Sequence, residues 1–276
     1  MLWCLARYLR QRKDAGMTNS SGFLRHVRAC NNAQLPGGRS PFYVHGTQVG
    51  WIQPDAARLA GTDVAASDLP SLGRRLADSG LARWRDEAFD VRATPDGPVL
   101  GTIDRGALPV LGIEAVGVHL NGLVQRPDGL HLWVARRAAD KKLDPGKLDH
   151  IVAGGVPAGL DPAGTLEKEA EEEAGLPPSL VARAQHRSVI AYTMDREEGL
   201  RRDRLHCYDL DLPPDFTPQP VDGEVEGFEL WPIGRVLEAV HDTDDFKFNV
   251  NLVLIDLFLR LKLVNAPDLV AALRGV

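Results

Sequence analysis

"AGGVPAGLDPAGTLEKEAEEEAGLP" runs from Ala153 to Pro177. It places five glutamates and one lysine in a few turns behind a Gly-Gly pair. Asp161 followed by Pro162 reads as a helix N-cap with proline at the first helical position. Gly175 stands where a helix stops. Between them Ala163, Leu166, Ala170 and Ala174 recur at helical spacing and form the expected buried stripe. Glu169, Glu172 and Glu173 stand at i, i+3 and i+4, so their carboxylates share a face. Glu167 and Glu171 project to roughly the opposite side, at about 100° per residue. A run of charge is ordinarily a solvated face. Here, however, like charges at i, i+4 oppose the helix, and crowded carboxylates resist full ionisation. A hard divalent cation that takes oxygen ligands, such as Mg²⁺, removes both penalties. Gly154, Gly155 and Gly159 are expected to form a loop whose backbone can approach a ligand closely. A glycine turn leading into a carboxylate-rich helix suits a metal bound to a phosphate chain.

These residues resemble the Nudix box, G-x5-E-x7-R-E-U-x-E-E-x-G-U with U apolar. Gly154, Glu169, Ala170, Glu172, Glu173, Gly175 and Leu176 fall in register with it. Leu160 stands where the box has Glu, and Lys168 where it has Arg. Lys168 keeps the charge but lacks the rigid fork of a guanidinium. The resemblance implies an α/β/α sandwich around a mixed sheet, with Mg²⁺ (Mn²⁺ as a substitute) held by Glu169, Glu172 and Glu173. "FLRHVRACNNAQLPG", "PFYVHGTQVGWI", "LDHIVAGGVPAGL", "YDLDLPPDFTPQPVDGEVEGFELWPI" and "FKFNVNLVLIDLFLR" extend the likeness over nearly the whole chain from about residue 22. They resemble a Nudix branch with an extra N-terminal domain, an arrangement also fused to thiamine pyrophosphokinase in some fungi. That likeness implies hydrolysis of thiamine-type diphosphates, including oxo- and oxy-thiamine diphosphate.

The chain has 276 residues, 44% apolar and 25% charged, an ordinary balance for one or two globular domains. Its net charge of −6 argues against a general nucleic-acid binder, which shows a basic footprint. It leaves a small-molecule diphosphate as the expected partner, since a bound cation reverses the local field. Cys4, Cys30 and Cys207 are far apart and make neither a zinc pattern nor an even disulfide set. This points to a reducing compartment, with cytoplasm as the expected location. "LVLIDLFLRLKLV" (252–264) is interrupted by Asp256, Arg260 and Lys262, so a buried helix is expected there rather than a membrane span.

Three segments are expected. Residues 1–16 read as an extension outside the folded protein, with Met17 opening a polar lead into the first helix. Residues 17–112 read as a small α+β accessory domain: a helix at "FLRHVRACNNA", a strand–turn–strand at "PFYVHGTQVGWI", a helix from Pro54 and another at "LPSLGRRLADSGL". Residues 113–276 read as the Nudix domain. There "AVGVHLNGLVQ" and "GLHLWVARRA" alternate as strands joined at "RPDG", a hairpin turn, and "NVNLVLIDLFLRLKLV" closes the fold as a helix.

Phosphoryl transfer asks the protein mainly for positioning and charge stabilisation, plus a base within reach of the attacking water. Glu172 is one candidate base. Glu224 is the other, with Glu226 beside it in "DGEVEGFELW", because Nudix enzymes often supply an acid from that later loop. Gly154, Gly155, Lys168, Lys247 and Asn249 are candidate phosphate-binding positions. For Asn249 helix capping competes with ligand contact. Arg136 and Arg137 are further candidates for phosphate. The histidines, His119 and His150 among them, are read as structural. Arg25, Arg28, Asn31, Asn32 and Trp51 are expected to let the accessory domain bracket a substrate ring.

Overall fold

The computed structural model describes residues 20–221 and 223–274. The expected extension at 1–16 lies outside the described residues. In chain order the elements are α1 (Ser21–Cys30), β1 (Ser40–Val44), β2 (Thr47–Ile52), α2 (Pro54–Ala60), β3 (Asp63–Val64), α3 (Leu69–Asp78), β4 (Ala88–Val91), β5 (Gly101–Asp104) and α4 (Leu108–Leu111). Then follow β6 (Glu114–Arg126), β7 (Gly129–Arg137), β8 (Leu148–Asp149), β9 (Val152–Gly155), α5 (Pro162–Ala174), α6 (Pro178–Val181), β10 (Gln185–Arg196), β11 (Gly199–Asp211), β12 (Val225–Pro232), α7 (Ile233–Asp242), α8 (Val250–Arg260) and α9 (Pro267–Arg274).

The C-terminal unit is built on a seven-stranded sheet with the path β10-β11-β6-β7-β12, to which β8 adds beside β7 and β9 beside β6. The β11–β6 pair is parallel and the other pairs are antiparallel, so the sheet is mixed. Both faces are covered, and the strands accordingly carry apolar residues at successive positions. Leu132 and Val134 point into one core with Leu205 and Cys207, and Trp133 points into the other with Tyr208 and Leu210. The first core is shared with α7, α8 and α9. The second lies under α5, through Leu166, Ala170 and Ala174. This is the expected α/β/α sandwich. Every residue of α8 from Val250 to Phe258 is buried, as befits a helix that is apolar all round. Its Asp256 is tied down by Ser188 Oγ at 2.8 Å and Arg260 Nε at 2.7 Å.

The N-terminal unit has its own small sheets: β2-β1-β3 and the β4–β5 hairpin. Phe42, Ile52, Leu69, Leu72, Val91, Ile103 and Leu111 are packed in its core, which gives the expected α+β character. The packing divides the segment 17–112 in two. Helix α1 belongs to the large core, where Phe23, Val27 and Cys30 pack with residues of α7 and α8. The smaller core begins at β1 and ends at Ile113. Gly112 marks the passage between the units. It is left-handed (φ 57°), and a Cβ there would lie 2.6 Å from the Trp51 carbonyl oxygen.

The Pro127–Asp128 turn is a tight hairpin, with Arg126 opposite Gly129. Gly154 and Gly155 are not loop residues. They end β9 and pair with Val118 and Gly117 of β6, while Gly159 supplies the positive φ of the loop that follows. The apolar segment at the C-terminus splits at Leu261, and α9 follows as a separate helix. No helix among the described residues is long and apolar enough to cross a membrane.

Candidate active site

Helix α5 begins as its sequence dictates. The Asp161 carboxylate accepts from Gly164 N at 2.7 Å, Pro162 occupies the first turn, and Gly175 closes the helix in the left-handed region at φ 61°. The buried stripe differs from the expected one. Ala163 is exposed, and Thr165, Leu166, Ala170, Glu173 and Ala174 face inward. One of the three candidate metal ligands is therefore a core-facing residue.

Glu173 is 7% exposed, and its Oε2 accepts from Ala153 N at 2.8 Å. Burial holds its carboxyl well above the usual carboxylate range, with Asp149, Glu169 and Glu224 nearby acting in the same sense. Glu169, one turn earlier, is mostly covered. Burial raises its carboxyl also, against the opposing pull of Lys168. A Cβ at Gly154 would lie 2.6 Å from Glu169 Cγ and 2.8 Å from its Oε2, so only glycine leaves this carboxylate its place. Glu172 sits on the outer side of the helix, about half exposed, 2.7 Å from Lys168 Nζ. Lys168 also reaches Glu169 at 3.2 Å, and the two carboxylates raise its ammonium above the ordinary lysine range. The lysine in the box's arginine position thus bridges two of the acids.

Glu224 shares a narrow cavity with Glu173, Asp149, His150, Arg137 and Lys141, and it pairs with Lys141 across it. Glu226 is turned elsewhere, accepting from Ala139 N at 3.0 Å. Between the two acids in that loop, the geometry favours Glu224.

Two cationic side chains flank Asp149. Arg137 Nη1 meets Asp149 at 2.8 Å and Lys247 Nζ meets it at 3.7 Å. Burial works against the Asp149 charge, and Lys247 and Arg137 outweigh it, holding the carboxyl well below its usual range. Lys247 is itself lowered by burial. Asn249 is 5% exposed and makes no side-chain cap to α8, and its Oδ1 has no partner. Capping therefore does not account for it. Among the described residues the group whose ligand atoms lie within 4.8 Å of one another is His119, Asp149 and His150, all buried. The three box glutamates are not drawn together this tightly. Sequence patterning had made these histidines single structural residues, and no local signal links position 119 to 150. The sheet does, because β9 lays Ala153 beside His119 of β6.

The accessory unit reaches the box by a different route from the expected one. Asn31 and Asn32 bond to the backbone of β10 at Thr193 and Asp195, and Arg25 is engaged by Asp244 and Thr243. What touches the box is the β4–β5 hairpin. Ala158 N donates to Ala88 O at 2.8 Å. A Cβ at Gly155 would lie 2.6 Å from Phe89 Cζ and 3.4 Å from Arg105 Cζ.

A family model described as NUDIX domain matches residues 117–251. Residues 117–251 are a Nudix domain. The chain is similar to Nudix hydrolase 20, chloroplastic, of Arabidopsis thaliana, with 41% identity over 186 residues, covering 67% of this chain and 50% of that protein. It is also similar to Uncharacterized protein YJR142W of Saccharomyces cerevisiae, with 33% identity, covering 66% and 56% respectively. The chain spans about half the length of the curated relatives it matches. Among solved structures, DR0079 from Deinococcus radiodurans aligns at 22% identity and TM-score 0.45, covering 63% of this chain and 98% of that one. The donor set of the Nudix domain fits a hard cation. It offers carboxylate oxygens, a glycine cradle beside Glu169, and a buried Glu173 whose ionised form a cation would restore.

Proposed function

We propose that the chain is a Mg²⁺-dependent pyrophosphohydrolase acting on a substituted diphosphate, with thiamine diphosphate or its oxo and oxy forms as substrate. The observation that carries this is Glu173, a buried carboxylate fixed by Ala153 N and surrounded by Asp149, Glu169 and Glu224. A buried acid among acids is unfavourable for the fold alone and favourable for a cation. Mg²⁺, when bound, supplies charge neutralisation at the phosphate oxygens and activation of water. The residues do the rest. Glu169, Glu172 and Glu173 hold the cation, and Mn²⁺ is an acceptable substitute. Glu224 accepts the proton of the attacking water, with Glu172 as the alternative base. Arg137 and Lys247 face the phosphate charge. Water adds to one phosphorus, the bridging P–O bond breaks, and the leaving phosphate departs with that oxygen.

The thiamine-type ring rests on the likeness of residues 22–54 and 117–251 to one Nudix branch. Nucleoside diphosphate derivatives are the alternative within the same chemistry. The Lys168 bridge between Glu169 and Glu172 favours a second reading, a ligand-binding module without catalysis. Phosphate release with Mg²⁺ from thiamine diphosphate, its oxo and oxy forms, ADP-ribose and dNTPs separates them. Release from the thiamine forms supports the first reading, release from ADP-ribose or dNTPs alone moves the substrate class, and none at all supports the binding module.

A further inference from the structure

His150 is 3% exposed, and its Nε2 is buried without a hydrogen-bond partner. An orphaned ring nitrogen in a low-dielectric interior is costly and needs a reason. The other nitrogen is committed, since His150 Nδ1 lies 3.0 Å from His119 Nδ1, with the rings edge to face. The backbone N–H of His150 is committed too, to Asp149 Oδ1 at 2.9 Å. Only Nε2 is left for a ligand, and His150 lines the cavity that holds Glu173, Glu224 and Arg137.

A metal at His119, Asp149 and His150 is the first reading of such a cluster, and the surroundings oppose it. Asp149 Oδ1 is taken by the His150 N–H, and Oδ2 faces Arg137 and Lys247. A dication would be added beside two cations, with one carboxylate that is already paired. The same charges favour an anion. The cavity is lined by Arg137 and Lys141 as well as by Asp149, Glu173 and Glu224, so a phosphate oxygen there would meet two cationic side chains together with the cation that the glutamates would hold.

We propose that His150 is a catalytic residue of the diphosphate site, its Nε2–H donating to an oxygen of the bound diphosphate. This rests on the pyrophosphohydrolase reading given above. His119 is the positioning residue: its Nδ1–H donates to His150 Nδ1, which fixes the proton of His150 on Nε2. Burial keeps both rings neutral, and His150 is lowered to about 4. It therefore acts as a neutral donor, in the same form throughout the physiological pH range. Ala153 joins the two halves of the site. Its N–H holds Glu173, and it pairs in register with His119. The carboxylate and the histidine pair are thus set by one short stretch of sheet.

The test uses the full chain and inorganic pyrophosphate with Mg²⁺. Titration calorimetry is expected to show about tenfold weaker binding for His150→Ala, the loss of one hydrogen bond to a charged acceptor. His150→Gln, which keeps a donor, is expected to retain most of the affinity. In wild-type protein with ¹⁵N-labelled histidine, the Nε2–H resonance assigned by its loss in His150→Gln should shift on adding pyrophosphate. Binding by wild type with no shift of that resonance, or with equal affinity for His150→Ala, overturns the proposal and leaves the pyrophosphohydrolase reading intact. Wild-type protein that neither binds pyrophosphate nor hydrolyses any diphosphate sinks both.

Discussion

Ala153 N–H donates to Glu173 Oε2 at 2.8 Å across the gap between β9 and α5. That bond sets the carboxylate before any ligand arrives, so its charge and not its position is what substitution removes. Glu173→Gln should keep the fold and the hydrogen bond while lowering turnover by roughly a hundredfold or more, the effect of losing a charged metal ligand. Circular dichroism and kcat at saturating Mg²⁺ check this. Near-wild-type kcat would remove Glu173 from the metal site.

Gly154 leaves room for Glu169, so Gly154→Ala should act on the metal and not on the core. The added Cβ would sit 2.6 Å from Glu169 Cγ, and the carboxylate must swing away. Weaker Mn²⁺ binding by electron paramagnetic resonance, with a melting temperature close to that of wild type, is the expected pair of results. Unchanged Mn²⁺ affinity would show that Glu169 is not a ligand.

Leu160, where the Nudix box has glutamate, is 40% exposed. Leu160→Glu should be tolerated, within about 0.5 kcal/mol of wild type in urea unfolding, as for other surface changes. Activity should survive. Loss of the fold would mean that Leu160 packs in a way its exposure does not show.

Arg260 holds two buried carboxylates, meeting Asp209 Oδ2 at 2.5 Å and Asp256 Oδ2 at 2.7 Å, and is itself mostly covered. Arg260→Ala removes the cation beside Asp256 and leaves Asp209 with Arg187 alone. The expected cost is about 3 kcal/mol in urea unfolding.

Cys30 and Cys207 are buried free thiols, pushed by burial up to about 12. Raised folded values mean that the stability gained from burying the neutral thiols is full below about pH 9 and is lost as pH climbs toward 12. Iodoacetamide at pH 8 should leave both peptides unlabelled in native protein and label both in denaturant. Rapid native labelling of either would contradict their burial.

The box helix was legible almost to the residue, because capping, proline placement and the stopping glycine are local chemistry. So was the Pro127–Asp128 hairpin, which follows from alternation and turn residues, while the sandwich class was implied by the likeness to the Nudix box. Two things were not legible. Helix α1 reads as the start of the accessory unit, but its Phe23, Val27 and Cys30 are buried in a core whose other members lie between Leu123 and Leu273, and no local pattern carries that partner. The pairing of His119 with His150 arises from strand register, which a single strand does not disclose. The same α1 packing bears on dissection of the chain. Residues 110–276 expressed alone lose Phe23 and Val27 from their core and should aggregate or melt well below the full chain.

Metal-dependent cleavage of a phosphoanhydride at Glu173 is the central proposal. The most direct measurement is the initial rate of orthophosphate release from oxo- or oxy-thiamine diphosphate by the full chain, with Mg²⁺ and with excess chelator, beside Glu173→Gln. Release that requires Mg²⁺ and collapses in the variant is the predicted result. Release indifferent to chelator or to Glu173, or none from any diphosphate at saturating Mg²⁺, would contradict it.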